Sequence, residues 1–252
     1  MENMRLLLIS NSTNAGEEYL KYPIERIAEH LQGVKEVIFI PYAAVTFSYA
    51  EYERKVQNRF NEIGIKVRSI HREKNPAKAI RNAEAICVGG GNTFALTKKM
   101  QQQGLMSAIL RKVKSGTPYV GWSAGSNVCC PTICTTNDMP IVEPESFKAI
   151  GAVKFQINPH YLDANPEGHA GETREQRIEE YIEANPRRYV VGLREGCMLL
   201  WFKWLCSSNK IRPYYSFLLI FSNILFQSSG NLYSILPSLN SINSLPIRLG
   251  PT

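Results

Sequence analysis

A segment fit to cross a membrane is missing from this chain: the longest late apolar stretch, YSFLLIFSNILF, falls short of the roughly 20 residues a spanning helix needs. No membrane association is expected. A secretory signal pattern is missing as well, ahead of six cysteines at Cys87, Cys129, Cys130, Cys134, Cys197 and Cys206. That reads as a cytoplasmic protein with reduced thiols. Cys129, Cys130 and Cys134 fit no common zinc spacing and have no histidine close by, so no metal is expected and they are read as buried apolar residues near a helix. A nucleic-acid face is not expected either. The formal charge is +7, but up to Leu200 there are 25 Lys+Arg against 22 Asp+Glu, and after it four basic residues and no acidic one. The excess belongs largely to the end of the chain, with no basic stripe interleaved with aromatics.

What remains is ordinary soluble material. At 252 residues, 44% hydrophobic and 20% charged, the chain has the length and composition for one large core. Short apolar runs alternate with amphipathic stretches. RLLLIS, EVIFIPYAAV, IKVRSIHR, AICVGGG and TPYVGW read as strands. EEYLKYPIERIAEHL, YAEYERKVQNRFNEIG, NPAKAIRNA and two stretches meeting near QQGLMSAIL read as helices between them. Such alternation predicts an α/β fold with a mostly parallel sheet between two helical layers, and sites beyond the carboxyl ends of its strands. After residue 130 the pattern loosens into CTTNDMP and KFQINPHY, then returns with the helix GETREQRIEEYIEANP and the strand YVVGLREG. No internal repeat is found.

GWSAGSN, Gly121 to Asn127, sets Ser123 in a G-x-S-x-G between a strand and a helix. A hydroxyl can project from such a sharp turn only if its neighbours are small, and the N–H groups of the helix starting at Ala124 face any oxyanion formed there. The motif alone does not separate a nucleophile from a cramped turn. GGGN, Gly89 to Asn92, allows close backbone approach; it suits an oxyanion-hole loop, a phosphate cradle or a plain connection, although a P-loop Lys-Ser/Thr signature is absent. Of four histidines, His30 falls in a helix and His71 at a charged strand end, both suited to packing or surface roles. His160, in QINPHY, falls at a strand end and is the candidate general base rather than His169. Two carboxylates could orient it, Asp138 in TTNDMP and Glu195 in LREG, and the residue pattern does not choose between them.

Together, and in this order, GGGNTF, GWSAGSN, TTNDMPIV, INPHY, PEGHAGETREQRI and GLREG closely resemble the peptidase E family, the α-aspartyl dipeptidases, over residues 4–199. The resemblance implies a class I glutamine amidotransferase-like fold and a cytosolic serine exopeptidase that cleaves Asp-X dipeptides with no metal or organic cofactor. It implies Ser123 as nucleophile and His160 as general base and acid. Both Asp138 and Glu195 match residues linked to catalysis. The N–H groups of Gly91 and Ala124 would form the oxyanion hole, with Gly90 and Asn92 beside the substrate. Arg174 in GETREQR matches the arginine that recognises the aspartyl carboxylate, and a planar guanidinium fork suits that task. On composition alone it would be a solvated helix charge. The glycine-flanked PEGHAGE could act as a lid. The expected partner is a small peptide, and the expected state a monomer or homodimer.

The resemblance stops after GCML. Residues 1–200 are read as the catalytic domain and 201–252 as a divergent tail, expected to be poorly ordered or loosely packed and suggestive of a read-through intron, alternative exon or frameshift. The tail keeps a second class of function open, an impaired form that only binds acidic dipeptides or partners. A serine esterase is a third reading, which leaves GGGN and GETREQR unexplained.

Overall fold

The computed structural model describes residues 4–203, 216–220, 223–226 and 233–235. Its first strand, β1 (Arg5–Ile9), is buried on both faces from Leu6 onward, as a continuous apolar run in a parallel sheet must be. A short helix α1 (Ile24–His30) leads to β2 (Glu36–Ile40), then α2 (Tyr49–Phe60), β3 (Lys66–Ser69), α3 (Pro76–Asn82) and β4 (Ala85–Val88). Helices α4 (Thr93–Gln102) and α5 (Leu105–Lys114) follow, then β5 (Tyr119–Trp122) and the one-turn α6 (Ala124–Asn127). β6 (Gln156–Tyr161), α7 (Arg174–Ala184), β7 (Val190–Arg194) and β8 (Met198–Lys203) complete the continuous part. Three further strands are β9 (Ser216–Ile220), β10 (Asn223–Phe226) and β11 (Tyr233–Ile235).

Helix ends follow local chemistry. Ser48 and Glu51 form a capping box that starts α2, Thr173 and Gln176 another that starts α7, and Asn75 caps α3 with Pro76 behind it. α2 tightens into a 3-10 turn and stops at Gly64, whose φ of 67° few other residues adopt. One expected helix is shorter than its periodicity suggests: EEYLKYPIERIAEHL becomes helical only at Ile24. Pro23 lacks the N–H to continue a helix through it, and the chain before it is folded back by Leu20 N–H donating to Ser12 O at 2.6 Å.

Among the described residues the central sheet has seven strands in the order β3-β2-β4-β5-β1-β8-β9, the first five parallel and β8 and β9 antiparallel. The mostly parallel α/β sandwich expected from the sequence is present. Leu6, Leu8, Ile38, Ile40, Ile86 and Val88 pack with α3, α5 and α6 on one face; Leu7, Ile9, Phe39, Cys87 and Trp122 pack with α1 and α2 on the other. The period of two along each strand thus feeds both layers. The sequence pattern does not separate β6 and β7 from this sheet, but they form a second one, β11-β10-β7-β6, with β6 and β7 parallel. Ile157, Val191 and Leu193 join it to the first core. No helix among the described residues is long and apolar enough to cross a membrane. Of the tail, β8 to Lys203 and the backbones of β9 to β11 are described, β9 pairing with β8 and β10 with β7; the remainder, including Cys206, lies outside the described residues.

Candidate active site

The carboxyl ends of β1, β4 and β5 meet at Ser123. Its φ of 52° and ψ of −114° are hostile to an L side chain, a strain of about 1–3 kcal/mol that the surroundings must hold. They do so with backbone bonds. Ser123 N–H donates to Ile9 O at 3.0 Å, and Ser126 Oγ donates to Ile9 O at 2.7 Å or Gly121 O at 2.8 Å. A Cβ on Gly125 would overlap Val88 O, and one on Gly121 would overlap Gly125 O, so the motif's glycines are required by space. The helix expected at Ala124 is there, but with a single turn. Its help to an anion comes from individual N–H groups, not from a long macrodipole.

His160 comes from the second sheet. It lies at a shift in register between β6 and β7 and has φ 55°, the same left-handed region. Its N–H donates to Ser10 Oγ at 2.9 Å, and that hydroxyl donates to Leu193 O at 2.7 Å, linking the end of β1 to β6 and β7 of the second sheet. The imidazole then bridges two side chains: Nε2 lies 2.9 Å from Ser123 Oγ, and Nδ1 lies 2.7 Å from Glu195 Oε1. Glu195 occupies the turn between β7 and β8. Gly196 beside it takes φ 74° and donates its N–H to Asn11 Oδ1 at 2.8 Å. Arg194 grips Asp163 with Nε at 2.7 Å and Nη2 at 2.6 Å, joining the segments that follow His160 and precede Glu195. The His160 and Glu195 side chains are 40% and 51% exposed, so both are open to substrate and water.

The two carboxylates left undecided by sequence thus part company. Asp138 makes no contact with His160; it accepts from Thr93 N at 2.7 Å, Thr93 Oγ1 at 2.6 Å and Thr136 Oγ1 at 3.1 Å. This fixes the start of α4, where Asn92 caps Ala95 N and donates to Met139 O. The glycine loop before it passes over the serine: a Cβ on Gly90 would lie 3.0 Å from Ser123 Cβ. Gly91, at φ 130°, leaves no room for a Cβ beside Ala43 O. Among the described residues, the N–H groups of Gly91 and Ala124 meet no protein acceptor.

Arg174, the first residue of α7, donates from Nη1 to Asn137 Oδ1 at 2.7 Å, and Asn137 Nδ2 donates to Pro159 O at 2.7 Å. Its guanidinium is thereby tied to the residue before His160. PEGHAGE, 166–172, is an exposed turn before α7. Cys129 and Cys130 are buried as expected, but Cys134 is exposed, pointing outward between the buried Ile133 and Thr135. Among the described residues no three His, Cys, Asp or Glu side chains are gathered for a metal ion. Sequence reasoning missed Ser10, Asn11 and Asn137. A polar pair closing the apolar run RLLLIS, and an amide between Thr136 and Asp138, were the available signals.

Comparison with known proteins bears on this arrangement. The model of peptidase family S51 matches residues 6–203. Peptidase E of Nostoc sp. is 55% identical over 196 residues, 77% of this chain and 81% of that protein; peptidase E of Salmonella arizonae is 48% identical over 206 residues, 82% and 87%. A crystal structure of a putative peptidase E protein from Listeria monocytogenes shares the fold at a TM-score of 0.60 and 23% identity, covering 87% of this chain and all of the other. A peptidase from an acI-B1 actinobacterium gives a TM-score of 0.61 at 16% identity, covering 93% and 98%. The protein is a hydrolase of the protease class. More narrowly, the chain belongs to peptidase family S51.

Proposed function

We propose that this S51 peptidase is a serine exopeptidase that hydrolyses Asp-X dipeptides through an acyl-enzyme. The observation that carries the reading is the continuous line of contacts Ser123 Oγ to His160 Nε2 at 2.9 Å and His160 Nδ1 to Glu195 Oε1 at 2.7 Å. Ser123 Oγ attacks the aspartyl carbonyl carbon while its proton passes to His160 Nε2. Glu195 accepts the Nδ1–H bond and stabilises the imidazolium. The tetrahedral oxyanion takes bonds from the N–H groups of Gly91 and Ala124. Collapse breaks the peptide C–N bond as His160 returns the proton to the leaving amine. Water, deprotonated by the same imidazole, then attacks the aspartyl ester and frees Ser123.

Selection of aspartate rests on Arg174, whose guanidinium is tied through Asn137 to the residue before the base and can pair with the short side-chain carboxylate. Asp138 contributes as a positioning residue, holding the start of α4 and with it the glycine loop. The setting is cytoplasmic and no cofactor takes part in this scheme.

Asp-Leu, Glu-Leu, Asn-Leu and a longer peptide beginning with Asp test it directly. Release from Asp-Leu alone is expected, and it should vanish in Ser123→Ala. A folded protein that leaves Asp-Leu intact, or a Ser123→Ala variant as active as its parent, refutes the reading. Calorimetric binding of Asp-Leu without turnover would favour instead a form that binds but does not cleave, since the chain runs on past the family match at residue 203.

A further inference from the structure

The glycine loop needs a support on the side away from Ser123, and one buried side chain supplies it. Tyr52, in the middle of α2, is 3% exposed, and its hydroxyl donates to Gly90 O at 3.0 Å. Two other groups reach the Tyr52 hydroxyl oxygen: Trp122 Nε1 at 3.1 Å and Tyr19 OH at 3.3 Å. An indole N–H can only donate, and a carbonyl oxygen can only accept. The single Tyr52 proton therefore goes to Gly90 O, while the Tyr52 oxygen receives Trp122 Nε1–H and the Tyr19 hydroxyl proton. Burial holds the Tyr52 phenol well protonated, so it stays a donor across neutral pH. Phe39 packs against both rings, edge-to-face with Tyr52 at a centroid distance of 5.0 Å and stacked on Trp122 at 5.8 Å.

The Gly90 carbonyl and the Gly91 N–H are the two ends of one trans peptide plane and point in opposite directions. Whatever grips the carbonyl aims the N–H. Two glycines in a row leave that plane free to rotate, for neither has a side chain to fix it, and Gly91 at φ 130° lies where other residues are excluded. A hydrogen bond accepted by the carbonyl also polarises the amide and strengthens its N–H as a donor.

We infer that Tyr52 is a positioning residue for the oxyanion hole: its hydroxyl clamps the Gly90 carbonyl so that the Gly91 N–H is presented, and polarised, toward the oxyanion formed at Ser123. The inference rests on the serine-peptidase reading above. Tyr52 touches neither substrate nor reacting atoms, so it acts on the transition state and not on ground-state binding.

The test compares Tyr52→Phe with the parent and with Tyr19→Phe, which removes a bond of the same cluster but leaves the Tyr52–Gly90 bond in place. Losing an oxyanion donor outright costs about 10²–10³ in kcat, so loosening one should lower kcat for Asp-Leu by about 10–10²-fold. KM should stay within about twofold, and inhibition by an aspartyl boronic acid, a tetrahedral mimic, should weaken by the same factor as kcat. Tyr19→Phe should keep kcat within about twofold. An unchanged kcat in Tyr52→Phe overturns the inference, as does a loss expressed only in KM or matched by Tyr19→Phe. If Tyr52→Phe does not fold, 4-fluorophenylalanine at position 52 fills the hydroxyl volume with no proton to donate. It must show the same kcat loss, and full activity there overturns the inference. A parent inert toward Asp-Leu, with Ser123 unlabelled by a fluorophosphonate, sinks the serine-peptidase reading and this inference with it. A parent active and dependent on Ser123, with Tyr52→Phe equally active, sinks the inference alone.

Discussion

The two halves of the site are built differently. The half on the parallel sheet, Ser123 with the Gly89–Gly91 loop, sits among strands buried on both faces, and its glycines are demanded by backbone approaches of Val88, Ala43 and Gly125. The half on the second sheet, His160 with Glu195 and Arg174, stands at strand and helix ends, with His160 and Glu195 side chains 40% and 51% exposed. The first is fixed by steric exclusion and the second by hydrogen bonds and charge. Packing changes around the first half should therefore register mainly in stability, whereas changes to the exposed side chains of the second should register mainly in catalysis.

The largest effect belongs to the proposed nucleophile. Ser123→Ala should lower kcat for Asp-Leu by about 10⁴-fold or more without loss of melting temperature, since alanine keeps the Cβ and therefore the same backbone strain. Glu195→Gln comes next, with a loss of about 10³ in kcat at near-constant KM, because a neutral amide no longer stabilises the imidazolium; a loss under tenfold would mean that the contact is incidental. The parallel-sheet half should instead show itself in acid. Burial, helped by the Arg5 charge, pushes His30 down to about 4, so the folded state refuses a proton that the unfolded chain takes near its ordinary 6.5. That contribution is harmless above 6.5 and costs stability as pH falls toward 4, by up to about 3 kcal/mol. Denaturant midpoints across that window should fall with pH, and His30→Leu should flatten the slope.

Smaller effects sharpen the other half. Arg174→Lys keeps the charge but loses the planar fork, and kcat/KM for Asp-Leu should drop by about 10–30-fold with no release from Asn-Leu appearing in its place. Least of all, Asp163→Ala should cost at most about 1 kcal/mol in a denaturant titration, the Arg194 pair being half in solvent, and added salt should shrink the difference.

Legibility in the sequence follows the same division. The parallel sheet could be read because apolar runs, glycines and capping residues all act over a few neighbours: RLLLIS, AICVGGG and GWSAGSN each carry their own instructions. Ser123 and its glycines were legible for that reason. The partition of β6 and β7 into a second sheet was not, since KFQINPHY and YVVGLREG have the same strand signal whichever sheet receives them. Nor could spacing decide between Asp138 and Glu195. Both lie on loops, and only the register of β6 against β7 brings Glu195 to His160 while Asp138 turns to Thr93. Tyr52 was invisible for a third reason: from sequence it is one aromatic on the buried face of an amphipathic helix.

Ser10 is where the halves are riveted, its hydroxyl taking the His160 N–H and giving its proton to Leu193 O while its own N–H donates to Cys197 O at 3.0 Å. Three strand ends and the turn of Glu195 thus share one small residue. In the language of activated rates, Ser10 should prepay an entropy by removing the sliding of one sheet against the other that would otherwise have to be frozen out at every turnover. Without it, the cost should appear as a more negative activation entropy, a ratio between the two proteins' rates that hardly changes with temperature.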